Sequence, residues 1–490
     1  MSSSETQPGE QVEVDAVVIG AGPVGENVAD RLKQGGLSVV VVESNLVGGE
    51  CSYAACIPSK ALLRPASARE AARAVDGARQ AVTGDVDSAA ALTRRTRLTH
   101  DWDDGGQVEW LDHAGIRLVR GQGRLAGPGV VEVAQDPAPS GGGAHVRLRA
   151  RHAVVVATGT APLVPPIPGL AEAEPWTNRE ATAADAAPRR LVVLGGGPVA
   201  CELATAWRSL GSEQVTVVER GDRLLGRVEP FAADAVAQGL RAQGITVCTG
   251  VSAAAVERPD AGGPVRVTLD DGDVLEADEL LVATGRRPNT DDLGLDVVGL
   301  EPGSWLDADD SGLVTGIDGG WLYAAGDVTH EVLLTHVGKY QGRACGDAIV
   351  ARVRGDLTGS PAPWGRWAAT ARHQAVPQVV YTRPEVAAVG LTEAQARDAG
   401  MDVRVVSHAI DVAGASLHAD DYDGTAQLVV DQARGVIVGA TFVGPEVGEM
   451  LHAATIAVVG EVPLDRLWHA VPAFPSVSEV WLRLLEAYGL

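Results

Sequence analysis

Two stretches of this chain repeat one unit: an apolar strand, a glycine-rich turn, a helix, a second strand and an acid. The first covers 13–43 and reads EVDAVVIGAGPVGENVADRLKQGGLSVVVVE. A strand from Ala16 to Ile19 enters Gly20-x-Gly22-x-x-Gly25, with Pro23 inside the turn. A second strand, Ser38 to Val42, ends at Glu43, 23 residues after Gly20. Gly20 is expected to make the tight turn, Gly22 to admit a pyrophosphate at the helix N-terminus, and Gly25 to allow close helix–strand packing. Glu43 would accept from a ribose hydroxyl. The second unit starts at Leu191 and reads LVVLGGGPVACELATAWRSLGSEQVTVVE, with Gly195, Gly197, Pro198 and Ala200 in the turn. Glu219 lies 24 residues after Gly195. A glycine triplet alone is weak evidence, but one inside a complete strand–turn–helix–strand–acid unit is strong. Two units imply two bound dinucleotides.

Beside the first unit stands GGECSYAACIPSKALL, which carries Cys51 and Cys56. Across an ideal helix, cysteines at this separation have Cα atoms about 8.5 Å apart. A disulfide needs roughly 4.4–6.8 Å. A bridge would therefore close only on a distorted helix start, and Pro58, with φ fixed and no N–H, favours such a distortion. The combination implies a flavin over a cysteine pair, with a nicotinamide on its other face. Lysine occurs only at Lys33, Lys60 and Lys339. Lys60 is one helical turn beyond Cys56, where an ammonium lowers a thiol pKa and reaches a flavin.

The chain is 490 residues long, enough for two to four domains, and its 46% hydrophobic content supplies several cores. A net charge of −24 argues against nucleic-acid or anionic-membrane partners. No apolar run reaches the ~18–20 residues of a membrane span, so no membrane insertion is expected. Residues 1–12 lack a secretory signal and read as a disordered tail. Five scattered cysteines do not make a secreted disulfide framework, so the expected location is cytoplasmic. Cys201, Cys248 and Cys345 read as buried structural thiols, and no cluster has metal-ligand spacing.

Further along, 61–103 reads as helical, and His113 to Val119 and Gly129 to Val133 as β-rich. Ala138 to Ala144 reads as a hairpin tip, and Ala153 to Ala157 as a buried strand ending in Thr158-Gly159. A linker follows at Pro162 to Pro168. Another strand leads into Thr284-Gly285, and 321–327 forms a strand ending in Gly326-Asp327. The Gly- and Pro-rich stretch 353–365 marks a boundary. Beyond 370 the pattern is mixed: strands at 376–381, 403–407, 426–430 and 436–443, a helix at 392–400, and terminal helices.

Together these runs resemble the class I pyridine nucleotide-disulfide oxidoreductases, the family of dihydrolipoamide dehydrogenase, glutathione reductase and mercuric reductase. The likeness covers roughly 13–485 and rests on Gly48 to Lys60, Ala157-Thr158-Gly159, Ala283 to Asn289, Ala325 to Val328 and Tyr381 to Glu393. It implies an α/β fold with two Rossmann-like dinucleotide-binding domains and a C-terminal α+β dimerisation domain. The implied division is an FAD-binding domain over 13–165, an NAD(P)-binding domain over 166–288, a return to the FAD domain over 289–365, and a homodimer interface over 366–490. FAD contacts are implied for Gly20, Gly22, Pro23, Gly25, Glu43, Gly49, Cys51, Lys60, Gly123, Thr158, Gly159, Gly326, Asp327 and Thr335. The helix starting at Leu334-Thr335-His336 would face the flavin's pyrimidine edge, where a helix N-terminus stabilises negative charge. NAD(P) contacts are implied for Gly195, Gly197, Pro198, Glu202, Glu219 and Gly285. Glu219 disfavours a 2′-phosphate, so NAD(H) is preferred over NADP(H), although Arg220 and Arg223 stand close by.

By the same resemblance, electrons pass from the nicotinamide through FAD to a Cys51–Cys56 disulfide. Cys56 would face the flavin and Cys51 the acceptor, with Lys60 near the flavin and paired with Glu202. The chain departs from the family at Phe474-Pro475-Ser476-Val477-Ser478-Glu479, where disulfide-reducing members have His-Pro-Thr-x-Ser-Glu. Phenylalanine replaces the acid–base, and Glu479 loses the group it would orient. His469 and Tyr53 are the candidate substitutes. The acceptor is then a disulfide, as for dihydrolipoamide dehydrogenase, or a quinone or other non-disulfide small molecule. A non-catalytic flavoprotein redox sensor is the third alternative.

Overall fold

A computed structural model describes residues 11–135 and 145–490. The hairpin tip expected at Ala138 to Ala144 lies outside the described residues, as do residues 1–10 of the expected tail. Residues 11 and 12 are not tail: they open the strand Gln11–Ile19, where Gln11 pairs with Arg147 and Val12 with Leu148. The chain divides into two compact units.

The first unit gathers the described residues up to Cys56, Thr99–Ala161 and Arg286–Arg372. Its seven-stranded sheet runs in the order Arg117–Arg120, Val39–Glu43, Gln11–Ile19, His145–Val156, Val130–Ala134, Gln122–Leu125, with Leu322–Ala324 also paired to His145–Val156. The central strands are parallel, with Ile19 opposite Val42 and Val156. Parallel strands covered on both faces read as continuous apolar runs, as Val39–Glu43 does. Alternate residues feed two cores: Ala16 and Val18 join one, Val17 and Ile19 the other. The strand His145–Val156 serves two partners in turn. Its first half pairs antiparallel with Val130–Ala134 and its last residues pair parallel with Leu322–Ala324.

Helix Pro23–Gln34 packs on helix Thr335–Arg354 along a stripe of Gly338, Gly342 and Gly346. A Cβ on Gly342 would lie 2.9 Å from the Val24 carbonyl oxygen, and one on Gly346 2.7 Å from Arg31 Cβ. The small stripe lets the two backbones approach. The expected β-structure at His113 is corrected: His113 ends the helix Gly105–His113, and the strand starts only at Arg117. The reversal uses Gly115 at φ 68°, just past the helix, where a left-handed residue commonly ends one.

The second unit gathers Ile57–Leu98, Pro162–Gly285 and His373–Leu490. It holds a four-stranded parallel sheet ordered Thr246–Thr249, Gln214–Glu219, Arg190–Leu194, Glu279–Val282 and a three-stranded antiparallel sheet over Ala253–Glu257, Val265–Leu269 and Val274–Ala277. A five-stranded antiparallel sheet runs Pro377–Val380, Glu385–Gly390, Val436–Gly444, Thr425–Asp431, Val403–Ala409. Pro65 lies inside the helix Cys56–Arg73 and gives Ala61 O no helical donor. Arg94 Nη1 donates to that oxygen instead, at 3.2 Å. Among the described residues, no helix is long and apolar enough to cross a membrane.

Candidate active site

The first glycine loop folds as its spacing predicts. Gly20 has φ 102°, and a Cβ there would collide with the Ala157 carbonyl oxygen. Gly22 caps helix Pro23–Gln34, with Pro23 at its first turn, and Gly25 packs against the Gly20 carbonyl. Gly123 faces Ile19 and Val42 at the same strand ends. Glu43 is buried: its carboxylate accepts from Ala21 N at 2.6 Å and Asn45 N at 2.7 Å. Burial pushes its carboxyl up, while these two N–H groups pull it back. Glu26, in the first turn of the helix, is pushed up to about 7 by burial, with Lys339 opposing and Glu43 adding.

The cysteine run breaks into two helices. Cys51 sits in the five-residue helix Gly49–Tyr53, and Cys56 opens the helix Cys56–Arg73. Between them Ala54 takes φ −137° and ψ 2°. The ideal-helix separation therefore does not apply, and Pro58 falls in a first turn, where its missing N–H costs nothing. Both cysteines are half-buried. Cys56 Sγ lies 3.3 Å from Thr335 Oγ1, at the start of the 20-residue helix Thr335–Arg354. Such a helix start suits a sulfur that carries negative charge in one of its states.

Behind Cys51 lies a charged chain of contacts. Arg286 pairs with Glu50, donates through Nε to Thr160 Oγ1 at 2.5 Å and through Nη2 to Thr160 O at 2.8 Å. Thr160 Oγ1 in turn donates to Asp327 Oδ2 at 3.0 Å. Burial pushes the Asp327 carboxyl up, and Arg286 and Thr160 oppose that shift. Asn289 holds the neighbouring turn, donating to Gly159 O at 3.1 Å and Thr158 O at 2.9 Å. Gly326 N donates to Gln341 Oε1 at 2.9 Å. The last residue of the Cys51 helix meets Trp102, whose Nε1 donates to Tyr53 O at 3.0 Å; Trp102 ends a run of three successive residues, His100 to Trp102, at φ 51°, 55° and 57°. A left-handed turn of L-residues costs on the order of 1–2 kcal/mol per residue.

The second unit repeats the glycine architecture. Gly195 has φ 108°, and its Cβ would collide with Ala283 O as that of Gly20 would with Ala157 O. Gly197 caps helix Pro198–Ser209, with Pro198 in the first turn. Gly285 N–Cα is extended toward φ 153°, and its carbonyl accepts from Leu163 N at 3.0 Å. Glu219 Oε1 accepts from Gly221 N at 2.6 Å. On the same helix as Gly197's cap, Glu202 is buried; its Oε2 meets Lys60 Nζ at 2.6 Å and its Oε1 accepts from Tyr381 N at 3.0 Å. The Lys60 ammonium also stands 5.2 Å from the Tyr381 ring centroid.

The candidate acid–base groups fare differently. His469 is exposed after helix Leu464–Leu467. Glu479 lies 3.6 Å from Arg483, with its second carboxylate oxygen buried and without a hydrogen-bond partner among the described residues. Phe474 is 76% exposed. Tyr53 is buried, its hydroxyl donates to Asp103 O at 3.4 Å, and burial raises its phenol to about 12. Cys201 and Cys345 are buried, and burial raises each to about 12. Cys248 corrects the expectation, being only half-buried on an edge strand whose one sheet neighbour is Gln214–Glu219.

Several contributors escaped the sequence reading. Arg286, Thr160, Glu26 and Tyr381 lie in or beside the quoted motifs, yet no spacing rule assigns their side chains. Trp102 has no signal at all, because its turn contains neither glycine nor asparagine.

The residues present suit a dinucleotide at the first loop. A Cβ on Gly49 would lie 2.8 Å from Gly22 Cα, so the two glycines form a cradle that side chains would fill. Beside it, Thr158 Oγ1 and Glu26 Oε1 are buried with no hydrogen-bond partner among the described residues.

Residues 14–342 match the family Pyridine nucleotide-disulphide oxidoreductase, and residues 376–484 match its dimerisation domain. The chain is 31% identical over 494 residues to a dihydrolipoyl dehydrogenase from Rhizobium etli, covering 97% of this chain and 98% of that protein. A mercuric reductase from Staphylococcus aureus is 28% identical over 487 residues, covering 97% of this chain and 84% of the relative. The HOCl-induced flavoprotein disulfide reductase RclA from Escherichia coli shares the fold, with a TM-score of 0.79 at 24% identity over 96% of this chain and 99% of that one. With its paired glycine loops and the split cysteine helices, the chain belongs to the pyridine nucleotide-disulphide oxidoreductase family, FAD-dependent enzymes that couple NAD(P)H to a redox disulfide.

Proposed function

We propose that this enzyme takes electrons from NADH and delivers them, through Cys51 and Cys56, to a small disulfide acceptor. The observation that carries the reading is the break at Ala54, which puts the two cysteines on separate helices, with Cys56 Sγ beside Thr335. FAD, when bound, supplies two-electron transfer between the nicotinamide and the cysteine pair. Gly20, Gly22, Pro23, Gly25 and Gly49 cradle its pyrophosphate at a helix N-terminus. Glu43 keeps acceptor capacity for a ribose hydroxyl beyond its two backbone bonds. Gly123, Thr158, Gly159, Gly326, Asp327 and Thr335 complete the FAD contacts, with Cys51 and Lys60. Glu202 holds the Lys60 ammonium in place. Gly195, Gly197, Pro198, Gly285, Glu202 and Glu219 serve the nicotinamide dinucleotide. Glu219 is held at its strand end by Gly221 N and repels a 2′-phosphate, which favours NADH. The dimerisation-domain match supports a homodimer, and the few, scattered cysteines favour a cytoplasmic location.

Phe474 favours a second reading, in which the acceptor is a quinone or another molecule that needs no thiol base. A phenyl ring moves no proton, and losing a positioned base costs ~10²–10⁴ in rate. In that case His469 and Glu479 have no acid–base part.

Anaerobic titration with NADH and with NADPH tests the core: NADH should raise a long-wavelength absorbance band at lower concentration, and at least tenfold higher kcat/KM should follow. Cys51→Ser should lower NADH-dependent lipoamide reduction by about 10²-fold or more while sparing ferricyanide reduction. Lipoamide turnover that survives Cys51→Ser sinks the dithiol reading. Menadione turnover far above lipoamide turnover selects the second acceptor class.

A further inference from the structure

We propose that the left-handed turn His100–Trp102 is a strap that positions the Cys51 helix, with Trp102 as its positioning residue. The inference rests on the reading of Cys51 and Cys56 as the redox pair. The helix Gly49–Tyr53 has five residues, too few to hold itself in water. Its last carbonyls need partners outside the helix. Trp102 Nε1 donates to Tyr53 O at 3.0 Å, and Tyr53 Oη donates to Asp103 O at 3.4 Å. Two residues before the helix begins, Val47 N donates to Asp104 Oδ2 at 2.7 Å, and Arg120 Nη2 donates to the same oxygen at 2.6 Å. Residues 102, 103 and 104 thus bracket the cysteine segment before and after.

The turn does this in a conformation its residues avoid. Asp and His tolerate left-handed backbone, but a tryptophan there is an outlier. Burial does not force it, since His100 and Asp101 are exposed and Trp102 is only half-buried. A strained turn persists when its surroundings over-determine it. Here the indole and the two following residues are what engage the cysteine helix. With its backbone tied at both ends, Cys51 reaches Cys56 or an external acceptor by side-chain rotation alone.

The test uses FAD-loaded Trp102→Phe, which keeps a ring and removes the N–H donor. Iodoacetamide labelling at Cys51 is followed by mass spectrometry before and after anaerobic reduction with NADH, alongside ferricyanide turnover. The strap requires Cys51 in the reduced variant to label at least threefold faster than in wild type, with ferricyanide turnover within twofold. An unchanged labelling rate, or loss of labelling contrast and ferricyanide turnover together, overturns it. If NADH does not increase Cys51 labelling in the wild-type enzyme, the redox-pair reading itself fails. Hydrogen exchange on the wild-type holoenzyme guards against a variant that does not fold. The strap requires the amides of Ala54, Trp102 and Asp103 to open together, and an Ala54 amide protected a hundredfold longer than the other two refutes it.

Discussion

Glu26 is the residue whose chemistry most outruns its motif. It sits where any helical residue would do, yet burial lifts its carboxyl to about 7. Below about pH 4.5 both folded and unfolded chains hold that proton, and the residue has no effect. As pH rises from there toward 7, the unfolded chain has lost the proton that the folded chain keeps. Stability therefore falls through that window, by on the order of 3 kcal/mol when complete. Glu26→Gln removes the charge from both states. Its melting temperature should exceed that of wild type at pH 8 and equal it at pH 4.5, in thermal melts of the flavin-free protein. A constant difference across that range would place the effect in packing instead.

At the scale of elements, the crossing of Pro23–Gln34 with Thr335–Arg354 governs how the first glycine loop is presented. Gly342→Ala would put a methyl 2.9 Å from a backbone oxygen that cannot rotate away. The expected cost is ~1–3 kcal/mol, together with weaker FAD retention, read by thermal melting and by flavin fluorescence after gel filtration. Much of this level was legible beforehand. The apolar runs at Ala16 to Ile19 and Ala153 to Ala157 became neighbouring strands, and Thr335 did begin a helix, because periodicity and glycine turns act locally. What stayed hidden was set by distant partners. The break between the cysteines falls at Ala54 rather than at Pro58, Pro65 is tolerated because Arg94 reaches the orphaned Ala61 carbonyl, and a tryptophan closes the left-handed turn His100–Trp102.

For the molecule as a whole, the two glycine units and the family resemblance were readable from sequence, since both rest on short contiguous motifs. The links among Glu50, Arg286, Thr160 and Asp327 were not, because they join segments 126 to 236 residues apart. The C-terminal part leaves Val471, Phe474 and Ile456 exposed at 85%, 76% and 58%. Apolar side chains grouped in one domain suit a protein interface, and 376–484 matches a dimerisation domain. Ile456→Asp with Val471→Asp should convert a dimer into a monomer in light-scattering chromatography; a dimer that survives both changes would locate the contact elsewhere. The pairing of Lys60 with Glu202 has a practical corollary. With arginine carrying nearly all the positive charge, an acylating reagent meets only three lysine side chains, and one of them, 39% exposed, is the Lys60 paired with Glu202. Covalent tagging of that amine, told apart from Lys33 and the exposed Lys339 by peptide mapping, offers a built-in reporter of whether flavin is bound.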